Sequence, residues 1–233
     1  MALNTAKQKA EAARASDLEL AQRAAGGDTS AFEAILRRHN RTLYRTARSI
    51  TRNDAEAEEA VQEAYLRAYQ ALATFRAQSS LGTWLTRIVI NQALERLRQR
   101  KREVDTIASD NVINLETHID MAYKERWSSE TPERAAMREQ TRKLLEQKID
   151  ELPAAFRTVF VMRALEDMSV EETAACLGVA EVTVRTRFFR ARRLLRKSLT
   201  SDVSGALEGA FAFDGERCDR IVSAVLARIA SPA

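Results

Sequence analysis

Apolar residues recur along this chain mostly every third or fourth position, the period of helices with one buried face. Patterning begins near Asp17 and breaks at Gly26-Gly27-Asp28. Phe32, Ile35, Leu36, Leu43, Tyr44 and Ile50 then follow at helical spacing, and Ser30 and Glu33 have the separation of a capping box at the start of that helix. Asn53 or Asp54 can cap a third helix whose inner stripe is Val61, Tyr65, Ala68 and Leu72. A polar loop, "TFRAQSS", leads into "LGTWLTRIVINQALERLRQRKR", where Trp84, Leu85, Ile88 and Leu97 are available to a core.

The period fails over residues 103–132, where Ser, Thr, Asn and Asp cluster; an interdomain linker is expected there, flexible or only locally ordered. Its scattered apolar residues Ile107, Ile113, Leu115 and Trp127 suit burial on a partner. Thr131-Pro132 restarts helix, and residues 133–149 and 153–165 each read as one, broken at "ELP". Ser169 and Glu172 form a second capping box, Gly178 ends a helix over 170–177, and a long helix runs from about 181 to 199. Beyond it, Ile221, Val222, Val225, Leu226 and Ile229 suit a short amphipathic helix. The expected fold is all-α: a tail, 1–16; two small helical domains, 17–102 and 133–199, joined by the flexible linker 103–132; and a C-terminal helical extension, 200–233.

Composition narrows the chemistry. Apolar residues make up 45% of the 233, enough for packed cores. Two Cys and two His fit neither a metal spacing nor a disulfide framework, so no metal and no cofactor are expected. The N-terminus lacks an apolar signal core, and no run approaches a membrane helix; a cytoplasmic protein without membrane insertion is expected. No nucleophile constellation or phosphate-binding glycine loop argues for an enzyme.

The net charge is only +4, so its local distribution carries the information. Residues 181–199 hold seven Arg or Lys and one acid, behind a shorter acidic, alanine-rich helix. Length and punctuation make this pair a helix-turn-helix, with Ala174, Leu177, Val179 and Val184 spaced to pack its two helices together. Arg185, Thr186, Phe189 and Arg190 share one face of the second helix, while Arg187, Arg192, Arg193, Arg196 and Lys197 spread around it. Such a helix can enter a major groove and lie along phosphates; the plainer alternative is a solvated edge of a bundle.

The first domain carries two further surfaces of opposite sign. Residues 54–63 hold five acids, with Asp54, Glu58 and Gln62 in one row and Glu59 and Glu63 in the next. DNA would be repelled there; a basic protein partner would not, although a helix start stabilised by its dipole explains the acids locally. The following helix places Arg87, Asn91, Leu94, Glu95 and Arg98 on one side, beside Trp84 and the polar loop. An aromatic beside a basic helix can hold unstacked single-stranded bases, although Trp84 also suits a core.

Together, "DAEAEEAVQEAYLRAYQAL", "LGTWLTRIVINQALERLRQRKR" and "SVEETAACLGVAEVTVRTRFFRARRLLRKSL", in this order, resemble the extracytoplasmic-function sigma factors of the bacterial sigma-70 family. The resemblance covers residues 17–102 and 133–199. It implies a σ2-like bundle whose acidic face, with Asp54, Glu58, Gln62 and Glu63, docks the β′ clamp helices of core RNA polymerase. It implies that the loop and basic helix, with Arg76, Gln78, Ser79, Trp84, Arg87 and Asn91, melt and read the −10 promoter element. A σ4-like domain would read the −35 element through Arg185, Thr186, Arg187, Phe189, Arg190 and Arg192. The partners implied are core polymerase through its β′ and β subunits, promoter DNA and an anti-sigma factor, with the linker threading the polymerase's channel. The chain departs from the pattern at Val182, where the family usually has glycine. Its extension is expected to fold back on the σ4-like domain or meet a regulator. Cys176 suits the core, and Cys218 is a candidate redox sensor. The competing reading is a stand-alone helix-turn-helix regulator, for which an acidic helix and a tryptophan-bearing basic helix have no use.

Overall fold

The computed structural model describes residues 15–108, 132–199 and 215–230. Most of the expected tail, the central part of the expected linker, with Ile113, Leu115 and Trp127, and the first half of the extension lie outside them. Among the described residues every regular element is helical.

Four helices make the first block: α1 (Asp17–Ala25), α2 (Thr29–Thr51), α3 (Asp54–Ala71) and α4 (Leu81–Ala108). A single 3₁₀ turn, Leu72–Thr74, and an irregular loop join the last two. Their apolar stripes converge on Leu20, Phe32, Ile35, Leu36, Leu43, Val61, Tyr65, Leu85 and Val89, all at most 1% exposed. Phe32 meets Tyr65 edge to face, and the Tyr65 hydroxyl donates to the Leu36 carbonyl at 3.2 Å, so burying this phenol leaves no polar atom stranded.

Each helix start in this block has a side-chain acceptor for its free amides. Ser16 accepts from the Glu19 amide, Asn53 from Glu56 and Ser80 from Thr83. The start of α2 corrects the expected capping box: Asp28, not Ser30, is the cap. Its Oδ1 accepts from the Ser30 amide at 2.9 Å and the Ala31 amide at 3.1 Å, while Glu33 turns to Arg37. Asp28 lies two residues nearer the break and reaches those amides first. Two further expectations give way in α4. The helix continues through Ala108, into the stretch expected as linker, and Leu97 is 36% exposed rather than core, while its neighbours Arg96 and Arg100 face α3 and pair with Glu59 and Glu56.

The second block comprises α5 (Pro132–Asp150), α6 (Ala154–Phe160), α7 (Val170–Leu177) and α8 (Glu181–Ser198). A π turn, Val161–Leu165, follows α6. Ile149, Leu152, Phe160, Val161, Leu165, Ala191 and Leu195 form its core, and Val159, Ala174 and Val184 form a smaller one under the helix-turn-helix. The Ser169–Glu172 capping box is fully made. Gly178 closes α7 at φ 63°, a left-handed conformation that glycine enters without a side-chain penalty.

The two blocks pack into one body. Met162 and Cys176 are buried in the first block's core, and the Cys176 thiol donates to the Thr83 carbonyl of α4. Arg45 and Glu166, each side chain 4% exposed, pair across the junction at 2.8 Å, and the Thr42 hydroxyl donates to the same carboxylate at 2.7 Å. Arg157 donates to the carbonyls of Ser49, Asp150 and Leu152, and burial pulls its pKa down to about 10, which leaves it charged at neutral pH. Residues 215–230 form a ninth helix, α9 (Gly215–Ala230), with Ile221, Val222 and Val225 buried. It packs on α2 and α3 of the first block, not on the second block as expected.

Two outcomes follow. Arg45→Met leaves the buried Glu166 carboxylate with only the more distant, exposed Arg41 at 3.9 Å, a loss of up to about 3–5 kcal/mol; urea unfolding should show the second block releasing before the first. Asp28→Ala should cost about 1 kcal/mol near neutral pH. The Ser30 hydroxyl and Arg23 hold the Asp28 carboxyl down at about 2, against opposition from burial. Its contribution is therefore complete above the ordinary carboxylate pKa of 3.8 and is lost as pH falls toward 2. The difference between wild type and variant should fade across that window in acid titrations of thermal stability.

Candidate nucleic-acid interface

α8 is amphipathic with unusual contrast. Val184, Ala191 and Leu195 face inward, while the opposite side carries an uncovered aromatic among cations. Phe189 is 66% and Val182 65% exposed. Arg185 and Arg190 flank Phe189 and are themselves exposed, and Arg192 is exposed on the adjoining side. Arg185 pairs only within its own helix, with Glu181 at 2.8 Å, and the Thr186 hydroxyl donates to the Val182 carbonyl. A shallow groove lined by Phe156, Val182, Thr183, Thr186, Arg187 and Arg190 runs along this face. Arg163 and Arg192 lie 5.7 and 5.8 Å from the centre of the Phe188 ring, so Phe188 anchors the helix while Phe189 points away. An exposed helix can release these cations to phosphates at little cost, because surface ion pairs are weak.

The second basic face runs along α4. Arg76 and Gln78 are exposed in the loop, Ser79 is half-buried, and Ala77 between them holds a left-handed backbone at φ 52°. That conformation is strained for an alanine. Trp84 is half-buried against the core and packs on Phe75 with ring centres 5.3 Å apart. The core and surface readings of this tryptophan therefore both describe part of its ring. Arg87 and Asn91 are exposed on the next two turns, in line with Trp84. The stripe opens into a basin lined by Arg67, Asn91, Gln92, Leu94, Glu95, Arg98 and Arg102. Arg67, on α3, was not foreseen; it pairs with Glu63 at 3.7 Å and Glu95 at 3.4 Å. Its i, i+4 spacing to Glu63 was the available signal.

The acidic face of α3 is distinct from both. Asp54 and Glu59 are exposed, and Glu58, Gln62 and Glu63 are half-buried. Their surroundings are arginines from three directions. Arg48 pairs with Asp54 at 2.6 Å, and Arg96 of α4 pairs with Glu59. Arg217 of α9 reaches Glu58 at 2.8 Å and Asp54 at 3.1 Å, with its guanidinium 4.3 Å over the Tyr44 ring. Arg220 reaches Glu58 at 2.9 Å, and Arg228 reaches Glu63 at 3.4 Å. Burial opposes ionisation of Asp54, but Arg48 and then Arg217 hold its carboxyl below the ordinary range. The arginines of α9 carried no local sequence sign of this address.

The two cysteines sit in different surroundings. Burial pushes the Cys176 thiol up to about 12, and the half-buried Cys218 thiol accepts from the Asn40 amide at 3.1 Å. Among the described residues no cluster of His, Cys, Asp and Glu could hold a metal ion, and no helix is long and apolar enough to cross a membrane.

Comparison with known proteins matches these surfaces to two domains. Residues 35–103 match the sigma-70 region 2 model, and residues 142–195 match the sigma-70 region 4 model. The chain is 34% identical over 186 residues to the RNA polymerase sigma-H factor of Pseudomonas aeruginosa, covering 78% of this chain and 93% of that one. It is 35% identical over 191 residues to the ECF RNA polymerase sigma factor SigM of Mycobacterium tuberculosis, covering 79% and 85%. Among solved structures, CnrH in complex with the cytosolic domain of CnrY aligns with a TM-score of 0.53 at 26% identity, covering 80% of this chain and 98% of CnrH. The sigma factor RpoE of Bartonella quintana, in complex with the anti-sigma factor NepR, gives 0.52 at 25% identity, covering 69% and 91%. With region 2 on the block that bears the acidic and basic helices, and region 4 on the helix-turn-helix, the chain belongs to the extracytoplasmic-function sigma factors of the sigma-70 family.

Proposed function

We propose that this protein lends promoter recognition to RNA polymerase by dividing the promoter between its two blocks. The observation that supports this most is the separation of charge over one helical body: exposed basic faces on α4 and α8, and an acidic face on α3. α8 reads the −35 element with Arg185, Thr186, Phe189 and Arg190, while Arg187 and Arg192 hold phosphates. The loop 75–80 and the stripe Trp84, Arg87 and Asn91 capture bases displaced from the −10 duplex by stacking and backbone charge. The acidic face of α3, repelled by DNA, grips the β′ clamp helices of core polymerase, and the second block meets the β subunit. Bond formation belongs to the polymerase; this chain supplies binding free energy in the cytoplasm and is no enzyme itself. RpoE of Bartonella quintana is held by the anti-sigma factor NepR, and the same kind of control is proposed here.

Size adds a constraint. The elements lie about 25 base pairs apart, or about 85 Å of B-DNA at 3.4 Å each. A compact chain of 233 residues has a radius of gyration of about 17 Å and a breadth near 45 Å. The closed body is therefore too small to reach both elements, and the junction of the two blocks opens on the polymerase. Residues 109–131 provide a reach of about 75 Å when extended.

Core polymerase supplied with this chain should start transcription on genomic DNA at sites sharing two sequence elements, which transcript sequencing identifies; failure to co-elute with core polymerase at low salt would refute the reading. Arg185→Ala and Arg190→Ala should each lose about 1–3 kcal/mol of discrimination at the −35 end, measured on promoter variants. Both side chains are exposed, so thermal stability should move by no more than about 0.5 kcal/mol. Glu58→Lys with Glu63→Lys should weaken core binding by about tenfold or more, a loss of at least 1.4 kcal/mol.

A further inference from the structure

We propose that α9 is a built-in cover for the polymerase-gripping face of α3, a basic helix that occupies in cis the place of the basic partner. The inference rests on the assignment of that face given above.

Three observations converge on it. First, α9 is seated by both kinds of contact that a specific helix-on-helix interface uses. Ile221, Val222 and Val225 are at most 2% exposed and join the first block's core, with Leu226 and Ile229 half-buried beside them. Second, its cations fall on the docking acids themselves. Arg217 and Arg220 hold Glu58, Arg217 also holds Asp54, and Arg228 holds Glu63, so three of the four candidate gripping residues are engaged by one helix. The Arg217–Glu58 pair is the best shielded of these, at 18% and 17% exposure, and Arg217 also covers the Tyr44 ring. The positions 217, 220 and 228 fall on one side of a helix, since eleven residues make three turns. Third, α9 lies beyond residue 195, where the region 4 match ends, so neither matched family domain includes it.

The cover has the properties of a competitor. Sixteen residues, 199–214, separate it from the end of α8. A tether of that length keeps a released helix at an effective concentration of order millimolar. A bound α9 and a bound polymerase exclude each other, so the affinity seen from solution is the intrinsic affinity reduced by the fraction of uncovered molecules. Recognition is by charge of the same sign, because the partner that displaces α9 must bring cations to Asp54, Glu58 and Glu63.

The test uses the full chain and its Arg217→Ala/Arg220→Ala variant, with a second chain ending at Leu199 for comparison. Hydrogen exchange over 215–230 reports release of the helix in the variant, and over 17–198 reports that the body stays folded. Core affinity should rise by about tenfold in the released forms, the factor expected for a cover seated nine-tenths of the time. A peptide spanning residues 213–233, added to the shortened chain, should restore the weaker binding. Unchanged or weaker core binding in both released forms would overturn the cover. Glu58→Lys introduced into the double variant separates the two ideas. If it abolishes core binding while the arginine changes do not strengthen it, the grip stands and the cover fails. If it leaves core binding intact, the grip fails and the cover with it.

Discussion

The Arg45–Glu166 pair is the contact on which the arrangement of this molecule rests. A guanidinium and a carboxylate that are both almost wholly buried are costly to desolvate, and they persist only when each satisfies the other. Glu166 does so with Arg45 and Thr42; Arg157 does so against three carbonyls at the same seam. The junction is thus polar at its centre, with Met162 and Cys176 as its apolar flank. An interface of this composition closes with defined geometry and yet can be taken apart, because every charged group in it is well solvated once separated. A large apolar seam would hold more tightly and would be costly to expose. For a protein whose two blocks must reach sites farther apart than its own breadth, the polar seam is the suitable kind.

The distribution of sign over the surface follows a second constraint. Binding to a polyanion and binding to a basic protein helix place opposite demands on side chains that sit within one small bundle. In the proposed division of labour each demand has its own helix face: cations on the outer sides of α4 and α8, anions on α3. Where the faces adjoin, they neutralise each other locally. Arg96 pairs with Glu59, Arg100 with Glu56, and Arg67 bridges Glu63 and Glu95. These exposed pairs add little stability, but they keep the acidic field of α3 from reaching the basin that Arg98 and Arg102 line.

What the sequence disclosed followed the range of the interactions. Elements set by neighbours in the chain were legible: the Asn53 cap, the Ser169–Glu172 box, the left-handed Gly178 and the inward faces of α2, α3 and α8. The exposed Phe189 and its arginines were legible too, since a helix-turn-helix fixes its own outer face. The Ser30 box failed on a local competition that Asp28 wins by position. Leu97 and the extra turns of α4 failed because burial depends on which residues lie opposite: beside α3 that stretch presents Arg96 and Arg100 to acids, and Leu97 faces away. The address of α9 was the least legible. Its apolar stripe announced a buried face, but the complement of Arg217, Arg220 and Arg228 lies more than 150 residues earlier in the chain.

That long-range complement also joins the two closures of the molecule. Arg48 on α2 holds Asp150 of the second block at 2.8 Å and Asp54 at 2.6 Å. Asp54 accepts from Arg217 of α9, Arg217 continues to Glu58, and Glu58 continues to Arg220. One chain of ion pairs therefore runs from the seam between the blocks to the helix over the acidic face, with Asp54 as its central link. Residues sharing such a network are not energetically independent; couplings of about 0.5–3 kcal/mol are usual among them. A partner that claims Asp54 takes an anion from Arg217 and from Arg48 together. The first loss loosens α9. The second removes one of the anions on Arg48, which still holds Asp150, and changes the charge balance at the seam, so that occupation of one face on α3 bears on both the proposed cover and the junction. The position of a single aspartate at the start of α3 thus puts the proposed grip, cover and opening on one electrostatic path.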